Sequence, residues 1–397
     1  MLLLYLFLVS LIIYLLLATV YLLVLAIAYF VVPEPKSNKS GVLNRFALLV
    51  PAHNEELLIA RLCDSLLKID YPQGHFQIYI VADNCTDNTA KISRFFPIQV
   101  LERKDRIHTG KGYAIEWALR QISLSNFDAV LILDADNVVD PLIIKELNQK
   151  INQGELAIQC HNAVGNSNDS WFTQLLYVSR TIGNALYHHS KYKLGLSSYL
   201  MGNGICFTTK LLESKNWTAF TVGEDWEYYT QLIADRIIIS FAINAKVFHQ
   251  ESRSLKQATT QRLRWSSGRF LVLKNYGLKL FWDGLKRRDF ITLDASLPLI
   301  FPNYSLQINL TFLALLLSLF LRRSYVKSVL LIVSSILLIG QFALFLIGIC
   351  LTKSYKKSFV AILHAPFFLA WKAIIDILSF TGLYREKKWI RTERHIS

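Results

Sequence analysis

Apolar positions are distributed very unevenly along the chain. Residues 1–32 carry no charged side chain, the stretch from about 291 to 382 is again dominated by Leu, Ile, Phe and Val, and a charged segment lies between them. The first block is longer than the roughly 20 residues that cross hydrocarbon and has no basic leader, so it predicts a retained helix and not a cleaved signal. Two later runs, 297–321 and 326–351, also reach spanning length, and the turn that joins them, with Arg322, Arg323 and Tyr325, predicts a helical hairpin. The run 359–384 is interrupted by His364, Pro366, Lys372 and Asp376. If the basic central segment and the basic tail (Arg385, Lys387, Lys388, Arg391, Arg394) both face the cytoplasm, an even number of crossings separates them. A hairpin plus one helix lying in the interface meets that condition.

Between the apolar ends, the pattern alternates. The run 46–50 is closed by Pro51, and Leu58, Leu62, Leu66 and Ile69 then recur at helical spacing. A second run, 76–81, ends in Ala82-Asp83-Asn84 before a helical pattern over 87–95; a third, 98–101, precedes a helix over 112–122; a fourth, 129–133, runs directly into Asp134-Ala135-Asp136. Alternation of this kind predicts an α/β domain with a mainly parallel sheet, which binds ligands beyond the carboxyl ends of its strands. Polar clusters stand at three of those ends: 51–56, 83–87 and 134–137. Any one of them is explained by an ordinary loop or helix cap. Three at successive strand ends predict a cleft.

The expected division is a transmembrane helix at 1–32, a linker at 33–44, the α/β domain at 45–270, interfacial helices at 271–296, the hairpin at 297–351, and at 352–397 an interfacial or transmembrane helix with the basic tail. The 43 Lys and Arg against 29 Asp and Glu give a net charge of +14. No nucleic-acid-binding motif accompanies that charge, which suits an anionic leaflet and phosphate-bearing ligands. The five cysteines are scattered, without the spacing of a zinc site or disulfide framework, and fit a reducing compartment.

The acidic clusters suggest particular chemistry. Asp134 and Asp136, one residue apart after a strand, can turn two hard oxygen donors toward one cleft, as Mg²⁺ or Mn²⁺ beside a diphosphate requires. In Gly223-Glu224-Asp225 either carboxylate can accept a proton from an attacking hydroxyl, although acidic residues also favour a helix start. Arg262 and Arg264 offer guanidinium forks to phosphate and Trp265 offers a flat face to a sugar ring, while the same residues also suit a membrane interface.

In order, these residues resemble the membrane-integrated family 2 glycosyltransferases, the group of cellulose, chitin, hyaluronan and poly-N-acetylglucosamine synthases and, more distantly, ceramide glucosyltransferase. The resemblance covers about 45–270 and rests on Asp83, on Asp134 with Asp136, on Asp225, and on Gln261-Arg262-Leu263-Arg264-Trp265. It implies a GT-A type nucleotide-sugar domain, a divalent metal (Mg²⁺ or Mn²⁺) and inversion at the anomeric carbon. Position by position it implies that Pro51, Asn54, Glu55, Asp83 and Lys111 contact the donor, with Asp134, Arg262 and Arg264. Asp134 and Asp136 hold the metal, Asp225 is the general base, and Glu224, Gln261 and Trp265 meet the acceptor. The expected reaction is transfer of a hexose or N-acetylhexosamine, from a UDP-sugar by preference, to a growing polysaccharide at the cytoplasmic face of the cell membrane, with an accessory export protein as a further partner. The alternative is a single addition to a membrane lipid. Two departures bear on the acceptor: Gly223 replaces the usual Thr, and 200–206 reads Leu-Met-Gly-Asn-Gly-Ile-Cys where polymer synthases carry an acceptor motif. The membrane portion is also small for an enzyme that threads a polymer.

Overall fold

Every apolar run of the central segment becomes a strand. In the computed structural model, which describes residues 2–35 and 41–381, β1 (Phe46–Ala52), β2 (Phe76–Asp83), β3 (Gln99–Arg103) and β4 (Ala129–Ile132) pair in parallel. Phe46 to Val50 and all of β4 are buried, because helices cover both sheet faces; strands so placed are apolar without alternation. Ile59, Leu62 and Leu66 of helix Ile59–Leu66 pack on one face, and Ala114, Ile115 and Ala118 of helix Lys111–Gln121 on the other.

The expected mainly parallel order holds only for this half. β5 (Val138–Val139), β6 (Ala157–Val164), β7 (Ile205–Thr208) and β8 (Ile239–His249) complete an eight-stranded sheet in the order β3-β2-β1-β4-β7-β6-β8-β5. β7 runs antiparallel to both β4 and β6. It follows a tight loop in which Gly202 and Gly204 take φ of 84° and 60°, a region that favours glycine.

Helix Leu2–Val31 packs against Tyr304–Leu319 and Tyr325–Cys350 through Leu8, Ile12, Leu15, Ala314, Leu330 and Leu337. At the centre of the three, the Gln341 amide donates to Thr19 Oγ1 and Thr311 Oγ1, each at 3.0 Å. The expected span 297–321 is in fact two helices, Phe290–Ile300 and Tyr304–Leu319, meeting at 69°. Pro302 lies in the break, where it cannot donate, and Arg269 Nη2 supplies hydrogen bonds to the freed carbonyls of Pro298 (2.8 Å) and Phe301.

Among the described residues three helices, Leu2–Val31, Tyr325–Cys350 and Tyr355–Thr381, are long and apolar enough to cross a membrane, and the bent pair makes a fourth if counted as one span. Lys372 and Asp376, which interrupt the last helix in sequence, turn inward: both reach Ser266 Oγ, at 3.3 and 3.2 Å, and Asn303 donates to Asp376 at 3.3 Å. The basic tail residues Arg385, Lys387, Lys388, Arg391 and Arg394 lie outside the described residues.

Candidate active site

The loops after β1 and β2 are stapled to each other. Asn54, at φ 55°, accepts at Oδ1 from the Thr86 amide (2.7 Å), the Glu55 amide donates to Thr89 Oγ1 (2.7 Å), and Glu56 Oε2 accepts from the Asn88 amide (3.1 Å). These bonds delay the following helix to Ile59. Pro51 is half-buried near the end of β1, and Asp83 is buried at the end of β2. Asp83 Oδ1 accepts from Arg103 Nη1 (2.7 Å) and Asn84 Nδ2 (3.0 Å). Burial pushes the Asp83 carboxyl above the ordinary range, and Arg103 pulls it back down. The second Arg103 nitrogen holds Asp105 (2.9 Å) and the His108 carbonyl (2.6 Å), ordering the approach to Lys111.

Lys111 joins two of the expected residues. Its Nζ donates to Asp134 Oδ1 (2.5 Å) and to the Gly202 carbonyl, and lies 3.9 Å from Glu224 Oε1. Asp136 accepts from Asn137 Nδ2 (3.1 Å), whose own Oδ1 receives the Asp134 backbone amide (3.0 Å), so one asparagine ties the Asp136 carboxylate to the backbone at Asp134. Glu224 and Asp225 open helix Glu224–Ala234. Burial raises both carboxyls, Glu224 to about 7 and Asp225 to about 6, with the Lys111 charge acting in the opposite sense. Asp225 Oδ1 accepts from the Trp226 amide (2.8 Å), and Oδ2 sits against Gly202.

Glycines let these pieces approach. A Cβ on Gly112 would lie 2.1 Å from the Ala219 carbonyl oxygen, so Gly112→Ala should force the Lys111 helix off the loop before Glu224, costing about 1–3 kcal/mol. Denaturant unfolding checks this; an unchanged midpoint contradicts it. The departure at Gly223 has a similar reason, because a Cβ there would stand 3.3 Å from the Gly268 carbonyl carbon and press helix Leu255–Val272 away.

That helix carries the basic-aromatic cluster. Gln261 is buried, Arg262 and Arg264 are half-buried, and Trp265 is 39% exposed. Arg262 Nη2 donates to Glu251 Oε2 (2.7 Å), and its guanidinium lies 4.6 Å from the centre of the Trp265 ring. Buried Glu251 also meets His249 Nε2 (3.0 Å) and Arg180 Nε (3.5 Å); against the cost of burial, the Arg262 charge, with the His249 hydrogen bond and Arg180, holds its carboxyl well below the usual range. Thus Lys111, Asp134, Glu224 and Asp225 form one cluster, with Asp136 beside it; Arg262 and Trp265 belong to a second, and Asp83 to a third with Arg103. His249 is committed to Glu251, and among the described residues no group of three or more His, Cys, Asp and Glu is arranged for a metal.

Sequence reasoning missed Arg103, Arg180 and Glu251. Only Glu251 had a usable signal: an acidic residue just beyond a strand, shortly before a basic run, is a natural partner for that run.

A parallel sheet with an antiparallel β7 inserted, and acidic residues at the ends of β2 and β4, define the GT-A glycosyltransferase fold. The sequence profile described as "Glycosyltransferase like family 2" matches residues 44–268, more than half of the chain, and the chain belongs to that family. The beta-monoglucosyldiacylglycerol synthase of Nostoc sp. is 27% identical over 263 residues, 62% of this chain and 55% of its own; the chain thus spans about half the length of that relative. The probable glycosyltransferase YdaM of Bacillus subtilis is 22% identical across 92% of this chain and 90% of its own. The mannosyltransferase PcManGT from Pyrobaculum calidifontis, solved with GDP-Man and Mn²⁺, shares the fold at a TM-score of 0.62 and 18% identity, over 94% of this chain and 99% of that one.

Proposed function

We propose that the protein transfers a sugar from a nucleotide sugar to a lipid at the membrane surface. The observation that carries this reading is the half-buried Asp225 carboxylate, its pKa raised by desolvation, at a helix start near Lys111 and Asp134. A base that is partly desolvated and ionised at neutral pH can accept the proton of an attacking hydroxyl as the new bond forms. Direct attack from the face opposite the leaving diphosphate inverts the anomeric carbon. Asp134 and Asp136 would hold Mg²⁺ or Mn²⁺, which neutralises charge on the leaving diphosphate. Both supply the hard carboxylate oxygens such a cation takes, and Lys111 on Asp134 would have to share that carboxylate with it. Pro51, Asn54, Glu55 and Asp83 line the nucleoside side; Arg262 and Arg264 face phosphate; Gln261, Glu224 and Trp265 are assigned to the acceptor.

The apolar helices favour a lipid acceptor. Thr19, Thr311 and Gln341 are all at most 1% exposed, so side chains fill the space between the three packed helices and leave it closed to a sugar chain. Relatives named beta-monoglucosyldiacylglycerol synthase lend support. A polysaccharide acceptor, with a separate export partner, is the second reading, favoured by Gln261 to Trp265 and by the 28% identity to a Staphylococcus epidermidis poly-beta-1,6-N-acetyl-D-glucosamine synthase over 31% of this chain.

The basic residues orient the chain. The far turn holds Arg322, Arg323 and Lys327, close to Tyr5 at the start of the first helix. The side bearing the catalytic domain carries Lys274, Lys279, Lys286, Arg287, Arg288, Lys353, Lys356 and Lys357. That excess supports a cytoplasmic catalytic domain.

Radiolabelled donor incubated with the protein in lipid vesicles is expected to give a single organic-soluble glycolipid; label appearing only in a water-soluble polymer overturns the lipid assignment. The raised Asp225 pKa also predicts an acid limb. The base form accumulates as pH rises through about 6, so kcat/KM should fall tenfold per unit well below that value. A rate flat from pH 5 to 8 would contradict this.

A further inference from the structure

We infer that Arg180 and Arg262 together form a phosphate-binding site beside the exposed Trp265, in which Arg180 is a ligand-contacting residue outside the basic run. This rests on the transferase reading above. Arg180 stands at the end of helix Trp171–Thr181, about 80 residues before Arg262, and nothing in its local sequence marks it. In the fold, both guanidiniums come to one indole ring, Arg262 at 4.6 Å and Arg180 at 5.9 Å from its centre. Both also share a single carboxylate, Glu251, which is 1% exposed.

The charges do not balance. Two permanent cations meet one anion, leaving an excess positive charge even with His249 neutral. Arg262 is tightly engaged, whereas Arg180 reaches Glu251 only through Nε at 3.5 Å and keeps a quarter of its side chain exposed. Among the described residues its two terminal nitrogens meet no hydrogen-bond acceptor, and Arg262 Nε is buried without one. A guanidinium fork of this kind matches the paired oxygens of a phosphate.

The site lies beside the reaction centre. Tyr199 stacks on Trp226, the residue after Asp225, with ring centres 4.5 Å apart, and its hydroxyl feels the charges of both Arg180 and Asp225. Phosphate can reach this place in two ways, as the diphosphate of the donor or as the phosphate of a lipid acceptor.

The test uses the full chain in lipid nanodiscs with Arg180→Gln and Arg180→Lys. Nucleoside diphosphate binding is measured by calorimetry, and acceptor KM is measured with a polyprenyl phosphate and with diacylglycerol. Loss of one charge-assisted contact is expected to weaken phosphate binding by about 10- to 100-fold. If the ligand is the donor, Arg180→Gln loses nucleoside diphosphate affinity; if it is the acceptor, KM rises for the polyprenyl phosphate alone. Arg180→Lys, which keeps the charge beside Glu251, should retain the wild-type melting temperature and recover part of the loss. Arg180→Gln and Arg180→Lys that both leave nucleoside diphosphate affinity and polyprenyl phosphate KM unchanged overturn the inference while leaving the transferase reading intact. Wild-type protein that neither binds nucleotide nor transfers sugar instead removes the reading on which it rests.

Discussion

Asp225→Asn should lower kcat by roughly a hundred- to ten-thousandfold while nucleoside diphosphate still binds. The substitution keeps the shape and the acceptance of the Trp226 amide at Oδ1, but the side chain can no longer take a proton. Glu224 does not substitute for it easily. Its Oε1 lies 3.9 Å from Lys111 Nζ, whereas Asp225 Oδ2 faces the Gly202 backbone across the loop that precedes β7. Glu224→Gln is therefore expected to be the milder of the two. Single-turnover kinetics separate the effects: a normal chemical step in Asp225→Asn, with weakened nucleotide binding, would assign this carboxylate to the donor instead of to proton transfer.

The largest effect on stability is expected at Glu251. Its carboxylate accepts from Arg262 and stands near Arg180 and His249 in a nearly solvent-free setting, so Glu251→Ala leaves positive charge buried without compensation. Breaking a buried ion pair from one side typically costs about 3–5 kcal/mol. The cost falls on the junction that joins β8 to helix Leu255–Val272, and Trp265 should lose its fixed position along with it. Thermal unfolding in detergent checks the magnitude, and a melting point within a degree of wild type contradicts it. Because the pairing holds Glu251 far below ordinary carboxylate values, its contribution is present at neutral pH and is lost only in strong acid.

Much of the fold was legible because its strands are buried on both faces and so appear as uninterrupted apolar runs. All four strands from 46 to 133 stand where those runs predict, and the three acidic strand ends follow from them. What lay beyond 150 was harder to see. β7 joins β4 to β6 in the antiparallel sense only because Gly202 and Gly204 reverse the chain, and two glycines in one loop do not specify a direction. The break between Ile300 and Tyr304 was hidden for a related reason: the run 297–321 is apolar enough to read as one span, and the group that satisfies its freed carbonyls is Arg269, about 30 residues earlier.

The site was legible in its acids and less so in its cations. Asp134, Glu224 and Asp225 come together around Lys111, all expected on sequence grounds. The partners that fix them, Arg103 for Asp83 and Glu251 for Arg262, are distant single residues whose importance comes from packing alone. Spacing within a motif carries information about neighbours along one loop or helix. It carries none about a side chain delivered by another element.

Release of nucleoside diphosphate by the purified protein is the most direct test of the central claim. A panel of nucleotide sugars is presented with Mg²⁺ or Mn²⁺ and membrane-lipid acceptors, in parallel with Asp136→Asn and with excess chelator. One donor should give release that depends on added lipid and is lost in both controls. Release from no donor under any of these conditions, by protein that is folded by its thermal transition, would contradict the account.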